Sequence, residues 1–206
     1  SLVGSEMCIR DSRYREGRSD NIPADDLSLD LVGRFTNTLD FGDVDKSIMD
    51  QVIATYLVLH MDHGGGNLST FAGKAVASGH ASVYSSMAGA MNALSGPLHG
   101  RANQSCFEFV KKIGTSDPDE VEAFVRGELN ARRPVFGFGH AVLRAEDPRA
   151  TVQFALGEKI CPEDEYFKTI RVLREIAPKV LSENPKISNP NANVDIASGT
   201  LLNYVG

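Results

Sequence analysis

Residues 45–67 read DKSIMDQVIATYLVLHMDHGGGN, and this stretch decides the fold class. Ile48, Met49, Val52, Ile53, Tyr56, Leu57 and Leu59 recur at helical spacing, and the run meets Gly64, Gly65 and Gly66, which cannot continue a helix cheaply. Outward from here the same period repeats. A short helix is expected over 69–77. Another is expected over 81–94, where Ser85, Ser86, Ala88, Gly89, Ala90 and Ala93 are small enough for close backbone approach, so burial against other helices is expected. Phe107, Val110 and Ile113 share one face within 99–113. Asp117-Pro118 and Asp147-Pro148 each place a capping carboxylate before a proline suited to the first helical position, opening helices that run to about Asn130 and Ile160. Residues 163–181 carry Phe167, Ile170, Leu173, Ile176 and Val180, with Pro178 expected to kink or end the helix. Period-two alternation is almost absent, and strand-like candidates are limited to residues 27–35. The chain is therefore expected to be all-α, with no internal repeat.

With 206 residues, 42% of them hydrophobic, the chain can bury one substantial core or two small ones. A net charge of -6 argues against nucleic acid as the main partner, because neutralising phosphates requires surplus Lys and Arg. The three cysteines, Cys8, Cys106 and Cys161, match no metal-ligand spacing, and an odd number fits a reducing compartment, so cytoplasm is the default location. Apolar stretches break well before the roughly 18 residues that a membrane span requires. Residues 1–12, SLVGSEMCIRDS, have neither a cap nor a period that continues into residue 13 and beyond; they resemble translated sequencing-adapter read-through and are set aside as a scar. The last residues, LLNYVG, stop within an apolar segment, so both ends read as cut.

The loops at 63–67, 96–100, 134–140 and 184–193 are rich in Gly, Pro and Asn, and each holds or borders an ionisable residue. Four of the five histidines, His60, His63, His99 and His140, lie beside such breaks, where imidazole can donate a hydrogen bond or proton near neutral pH. The alternative for each is a packing role, and His80 is left there. His60 and His63 share a helical face and raise a His-x-x-His metal site, but no third ligand follows from spacing. Arg144 and Arg149 bracket a helix start and suit carboxylate or phosphate, or else a solvated terminus. Asp195, entering an apolar segment, either caps a helix or is held as a base.

In order along the chain stand HMDHGGGN (60–67), GPLHG (96–100), GFGHAVLR (137–144) with DPR (147–149), and NVD (193–195) with Ser198-Gly199. Together they resemble the motifs of the citrate synthase family, over nearly all of 45–206, with the third block closest to the mitochondrial-type branch that also has bacterial members. The resemblance implies a citrate synthase-like all-α fold: a partial large helical domain at 13–100 and 191–206, a small helical domain at 101–190 inserted into it, and a site in the cleft between them. It implies catalytic roles for His99, His140 and Asp195, with oxaloacetate held by His63, His140 and Arg149. Coenzyme A would face Val135, Phe136, Gly137, Phe138, Gly139 and Arg144. By the same resemblance acetyl-CoA would be the substrate condensed with oxaloacetate to citrate and coenzyme A, and neither a resident cofactor nor a metal is implied.

Residues 82–94 resemble part of the family's dimer interface, so a homodimer is implied for the full-length protein, with no membrane or nucleic-acid partner. The compartment would be the mitochondrial matrix in a eukaryote. Two further arginines of the family fall beyond residue 206, so little activity is expected of this segment alone. A 2-methylcitrate synthase acting on propionyl-CoA and a non-catalytic helical oligomerisation module are the competing expectations.

Overall fold

A computed structural model describes residues 26–38, 44–61, 64–96, 99–140 and 142–206. The first 25 residues, and with them the segment read as a scar, lie outside the described residues, as does His63. The described residues are helical, apart from turns and one isolated bridge. They fall into two compact units, one of the described residues up to His99 with Val205–Gly206, the other of those within Gly100–Tyr204.

In the first unit α1 (Leu31–Thr36) packs on α2 (Lys46–Met61), and α3 (Leu68–Ser78) packs on α4 (Val83–Leu94). Residues 27–35, which held the limited strand-like candidates, instead lead into and form most of α1, in keeping with the all-α expectation. Asp30 accepts a hydrogen bond from the Gly33 amide (2.7 Å) and caps a helix of six residues, so a local side-chain cap overrides the weak alternation. Met49, Val52 and Ile53 bury the inner face of α2. Asn67 caps α3 and Ser82 caps α4, and the two helices approach closely where Gly89 faces Val76 and Gly73 faces Ala90. The small residues thus serve the close contact that their size suits. The expected burial of α4 is not seen: neither α3 nor α4 has a buried residue, and Tyr84 is 80% exposed. One neighbour covers only one face of each.

The second unit contains α5 (Ala102–Ile113), α6 (Pro118–Asn130), α7 (Pro148–Ile160), α8 (Glu165–Ser182) and α9 (Asp195–Tyr204). Both Asp-Pro devices work as expected, with Asp117 and Asp147 accepting from the first-turn amides of α6 and α7. Pro178 lies inside α8, which continues to Ser182. α8 packs on α6, and α9 packs on α5, α7 and α8. Val110, Val121, Val125, Phe167, Ile170, Leu173 and Ile196 are fully buried, a core whose removal from water is the main stabilising term, at about 1.5–3 kcal/mol per large side chain. Gly157 on α7 lies against the Phe167 ring, and Gly199 on α9 lies against Phe107 and Asn103 of α5. No described helix is long and apolar enough to cross a membrane.

Candidate active site

Two loops far apart in sequence are stitched together in the second unit. Residues 137–147 lie alongside 189–196 in an antiparallel bridge, Phe138 to Ala192. The amide of Gly139 donates to Asn191 O (2.9 Å), that of Asn193 to Gly137 O (2.9 Å), and that of Asp147 to Ala192 O (3.0 Å). Side-chain amides add to this: Asn193 Nδ2 donates to Gly139 O (2.9 Å) and Asn189 Nδ2 to Leu143 O (2.9 Å). Asn189 is itself buried. The carbonyls on either side of His140 are thereby fixed by groups from the second loop, which also carries Asp195.

Gly137 and Gly139 have φ of 83° and 84°, a region glycine occupies at little cost. At Gly137 a Cβ would lie 2.9 Å from both Cys106 Sγ and Ile196 Cβ, so its bareness lets this loop seat on α5 and α9. Phe136 beside it packs toward Phe109 (5.9 Å between ring centres).

His140 Nδ1 accepts hydrogen bonds from the amides of Val142 (3.0 Å) and Leu143 (2.9 Å). An amide N–H can only donate, so Nδ1 is the acceptor and the neutral ring carries its proton on Nε2. Nε2 has no hydrogen-bond partner among the described residues. Arg144 Nη1 donates to the carbonyls of His140, Val142 and Leu143, folding its guanidinium onto the same loop.

Asp147, 1% exposed, does more than cap α7. Its carboxylate accepts from Arg149 Nε (3.0 and 3.2 Å) and Nη2 (2.7 Å) as well as from the Arg149 amide (2.9 Å). Burial opposes its ionisation, yet those hydrogen bonds and the positive charge of Arg149 hold the carboxyl below the usual range. The Asp147 hydrogen bonds raise the Arg149 guanidinium in turn, against burial, and the charge of Asp195 adds to the effect. Nη1 of Arg149 is left without a hydrogen-bond partner among the described residues.

Asp195 is the first residue of α9, where the helix dipole favours negative charge. Its amide donates to Asn193 Oδ1 (3.0 Å), so the acceptor at the start of the helix is Asn193. Burial, and then the charge of Asp195, push the Cys106 thiol far up.

His99 lies in the first unit. Its Nε2 accepts from the Ser69 amide (3.2 Å), with Ser69 Oγ 2.9 Å away, so the neutral ring carries its proton on Nδ1. Ser69 Oγ also reaches Asn67 Oδ1 (2.8 Å), fixing it in the first turn of α3. His60 turns back onto its own helix, stacking on Tyr56 (4.1 Å) with Nδ1 donating to Tyr56 O (2.7 Å). No cluster of three His, Cys, Asp or Glu suited to a metal forms among the described residues.

Of the residues singled out in the sequence, the second unit brings together Val135–Gly139, His140, Arg144, Arg149 and Asp195. The buried partnership of Asp147 with Arg149 and the amides of Asn189 and Asn193 were missed. The alternation of Asn189, Asn191 and Asn193 was the available signal.

A sequence model described as "Citrate synthase, C-terminal domain" matches residues 5–206. The chain belongs to the citrate synthase family. Among relatives of the citrate synthase family, a protein named "2-methylcitrate synthase, mitochondrial" from Yarrowia lipolytica is 41% identical over 186 residues, covering 88% of this chain and 40% of that one. A protein named "Citrate synthase, mitochondrial" from Fragaria ananassa is 40% identical over 198 residues, covering 94% of this chain and 41% of that one. The chain thus spans about two fifths of the length of these curated relatives. The citrate synthase of Thermoplasma acidophilum, solved as a ternary complex with carboxymethyl coenzyme A and oxaloacetate, superposes with a TM-score of 0.83 at 25% identity, covering 98% of this chain and 52% of that one.

Proposed function

We propose that the full-length protein containing this segment condenses acetyl-CoA with oxaloacetate, giving citrate and coenzyme A. The observation that carries the reading is the stitching of the His140 loop to the Asp195 loop, which holds an imidazole donor, a guanidinium and a carboxylate in one unit. Membership of the citrate synthase family supports it.

A thioester methyl group is a very weak acid, so a base alone is insufficient near neutral pH. Asp195 takes the methyl proton while His99, through Nδ1–H, donates a hydrogen bond to the thioester oxygen where charge develops. The enol carbon attacks the ketone carbon of oxaloacetate, and His140 delivers the Nε2 proton to the ketone oxygen, forming citryl-CoA. The proton held by Asp195 balances the one His140 gives up. Water then cleaves the thioester; the C–S bond breaks and coenzyme A leaves as the thiol. Arg149, with Asp147 orienting its Nε and Nη2, offers Nη1 to a substrate carboxylate, and His63 is assigned to the same dianion. Val135, Phe136, Gly137, Phe138, Gly139 and Arg144 are assigned to coenzyme A. Proton transfers at Asp and His suffice, so acetyl-CoA enters as substrate and no resident cofactor is invoked.

For the full-length protein we assign residues 13–100 and 191–206 to a large helical domain and 101–190 to a smaller inserted one. A homodimer in which a second copy covers α4 fits its exposed face. The matrix of mitochondria is the proposed compartment in a eukaryote, in keeping with relatives named as mitochondrial, and the cytoplasm otherwise.

The test is thiol release from acetyl-CoA in the presence of oxaloacetate. Absence of oxaloacetate-dependent release by the full-length protein refutes the proposal. The 41% identity to a 2-methylcitrate synthase favours a second reading, propionyl-CoA as donor, and kcat/KM for the two thioesters separates them.

A further inference from the structure

Between His140 and α7 stands Glu146, a residue the proposed reaction does not use. Its carboxylate accepts a bidentate pair from Arg174 Nε (2.9 Å) and Nη2 (2.5 Å), and a third hydrogen bond from Thr151 Oγ1 (2.7 Å). Arg174 lies in the middle of α8, with its guanidinium carbon 4.3 Å from the centre of the Phe154 ring on α7. One planar cation is thus engaged by a carboxylate and an aromatic face, which holds it in a single orientation. The residue after Glu146 is Asp147, whose carboxylate fixes the Arg149 guanidinium. Glu146 and Asp147 are consecutive, with Cα atoms only about 3.8 Å apart, so the anchor on Glu146 bears on where the Asp147 carboxylate sits.

We propose that Arg174, acting through Glu146, is a positioning residue that sets where Arg149 presents its guanidinium to the dicarboxylate substrate. The inference rests on the oxaloacetate reading of Arg149. Without the pair, Asp147 still caps α7 and the loop keeps its bonds to Asn189, Asn191, Ala192 and Asn193, but Glu146 retains only Thr151, and the guanidinium that Asp147 holds shifts relative to the substrate. Such a loss weakens substrate binding while leaving the proton-transfer groups in place.

The experiment measures kcat and KM for oxaloacetate and for acetyl-CoA in the full-length wild type and in R174A, R174K and E146Q. R174A is expected to raise KM for oxaloacetate about tenfold, with kcat within about twofold and KM for acetyl-CoA unchanged. R174K, which keeps the charge and loses the fork, is expected to raise it about threefold, and E146Q similarly. A folded R174A with wild-type KM for oxaloacetate overturns the proposal, as does a fall in kcat and stability with no KM change, which is what a purely structural pair gives. Where R174A does not fold, R174K decides by the same criteria. A wild type with no oxaloacetate-dependent turnover instead overturns the function and this inference with it, so the two failures are told apart.

Discussion

His99 and His140 hold opposite ring nitrogens against backbone amides: Nε2 of His99 accepts from Ser69, and Nδ1 of His140 accepts from Val142 and Leu143. Each neutral ring therefore presents its single N–H on the other side, which suits two hydrogen-bond donors. Long-range nitrogen–proton NMR spectra are expected to show the proton on Nδ1 of His99 and on Nε2 of His140; the reverse pattern removes both donor assignments. Asp195→Asn keeps the shape and removes the base, and is expected to lower kcat in the full-length protein by about 10²–10⁴-fold with little change in KM for oxaloacetate. Asp147→Asn leaves Arg149 with a weaker partner in a buried setting. A loss of about 2 kcal/mol in urea unfolding is expected, together with a raised KM for oxaloacetate.

At the level of elements, glycine contacts set the tolerances. Gly157→Ala would drive a Cβ into the Phe167 ring, so α7 and α8 must separate; a loss of about 3 kcal/mol in denaturant unfolding is expected. The helices were legible where their signals are local: Asp117-Pro118 and Asp147-Pro148 contain both cap and first-turn residue, and the α2 period spans several turns. Residues 27–35 stayed ambiguous in sequence because a short cap, Asp30 to Gly33, outweighs an apolar alternation too brief to pair with anything. The burial of α4 was misread because composition reports how closely a helix can be approached, while the number of neighbours depends on contacts outside the pattern. At the site, the ionisable residues stood out beside their glycine breaks. Asp147 did not, because its capping role was a sufficient explanation in sequence, and its grip on Arg149 depends on side-chain reach across one turn.

For the molecule as a whole, the buried and half-buried carboxylates set its acid limit. Glu146 is held below its ordinary 4.5, chiefly by the Arg174 hydrogen bond, and Asp147 below 3.8 by Arg149 against the opposing effect of burial. A carboxyl whose pKa falls on folding binds protons more readily when unfolded, so its stabilisation is complete above the ordinary value and drains as pH falls through the folded one. The urea midpoint is expected to stay level between about pH 7 and 5 and to fall below about 4.5. Arg174→Ala should flatten the upper part of that decline. Exposed pairs such as Arg126–Glu183 contribute little to it, because solvent screens them.

The bridge between the His140 loop and the Asn193 loop has a consequence for biosynthesis. Its partners lie 54 positions apart, with α7 and α8 between them. At about 5–20 residues per second, a ribosome needs roughly 3–11 s to supply the second loop after the first has emerged. During that interval the nascent glycine-rich segment lacks its native partners in the second loop, while α6 is already made and α7 and α8 are being added. Chaperone capture or proteolytic nicking of translation intermediates is thus expected to concentrate at residues 134–147, and to cease once Asn193 clears the exit tunnel.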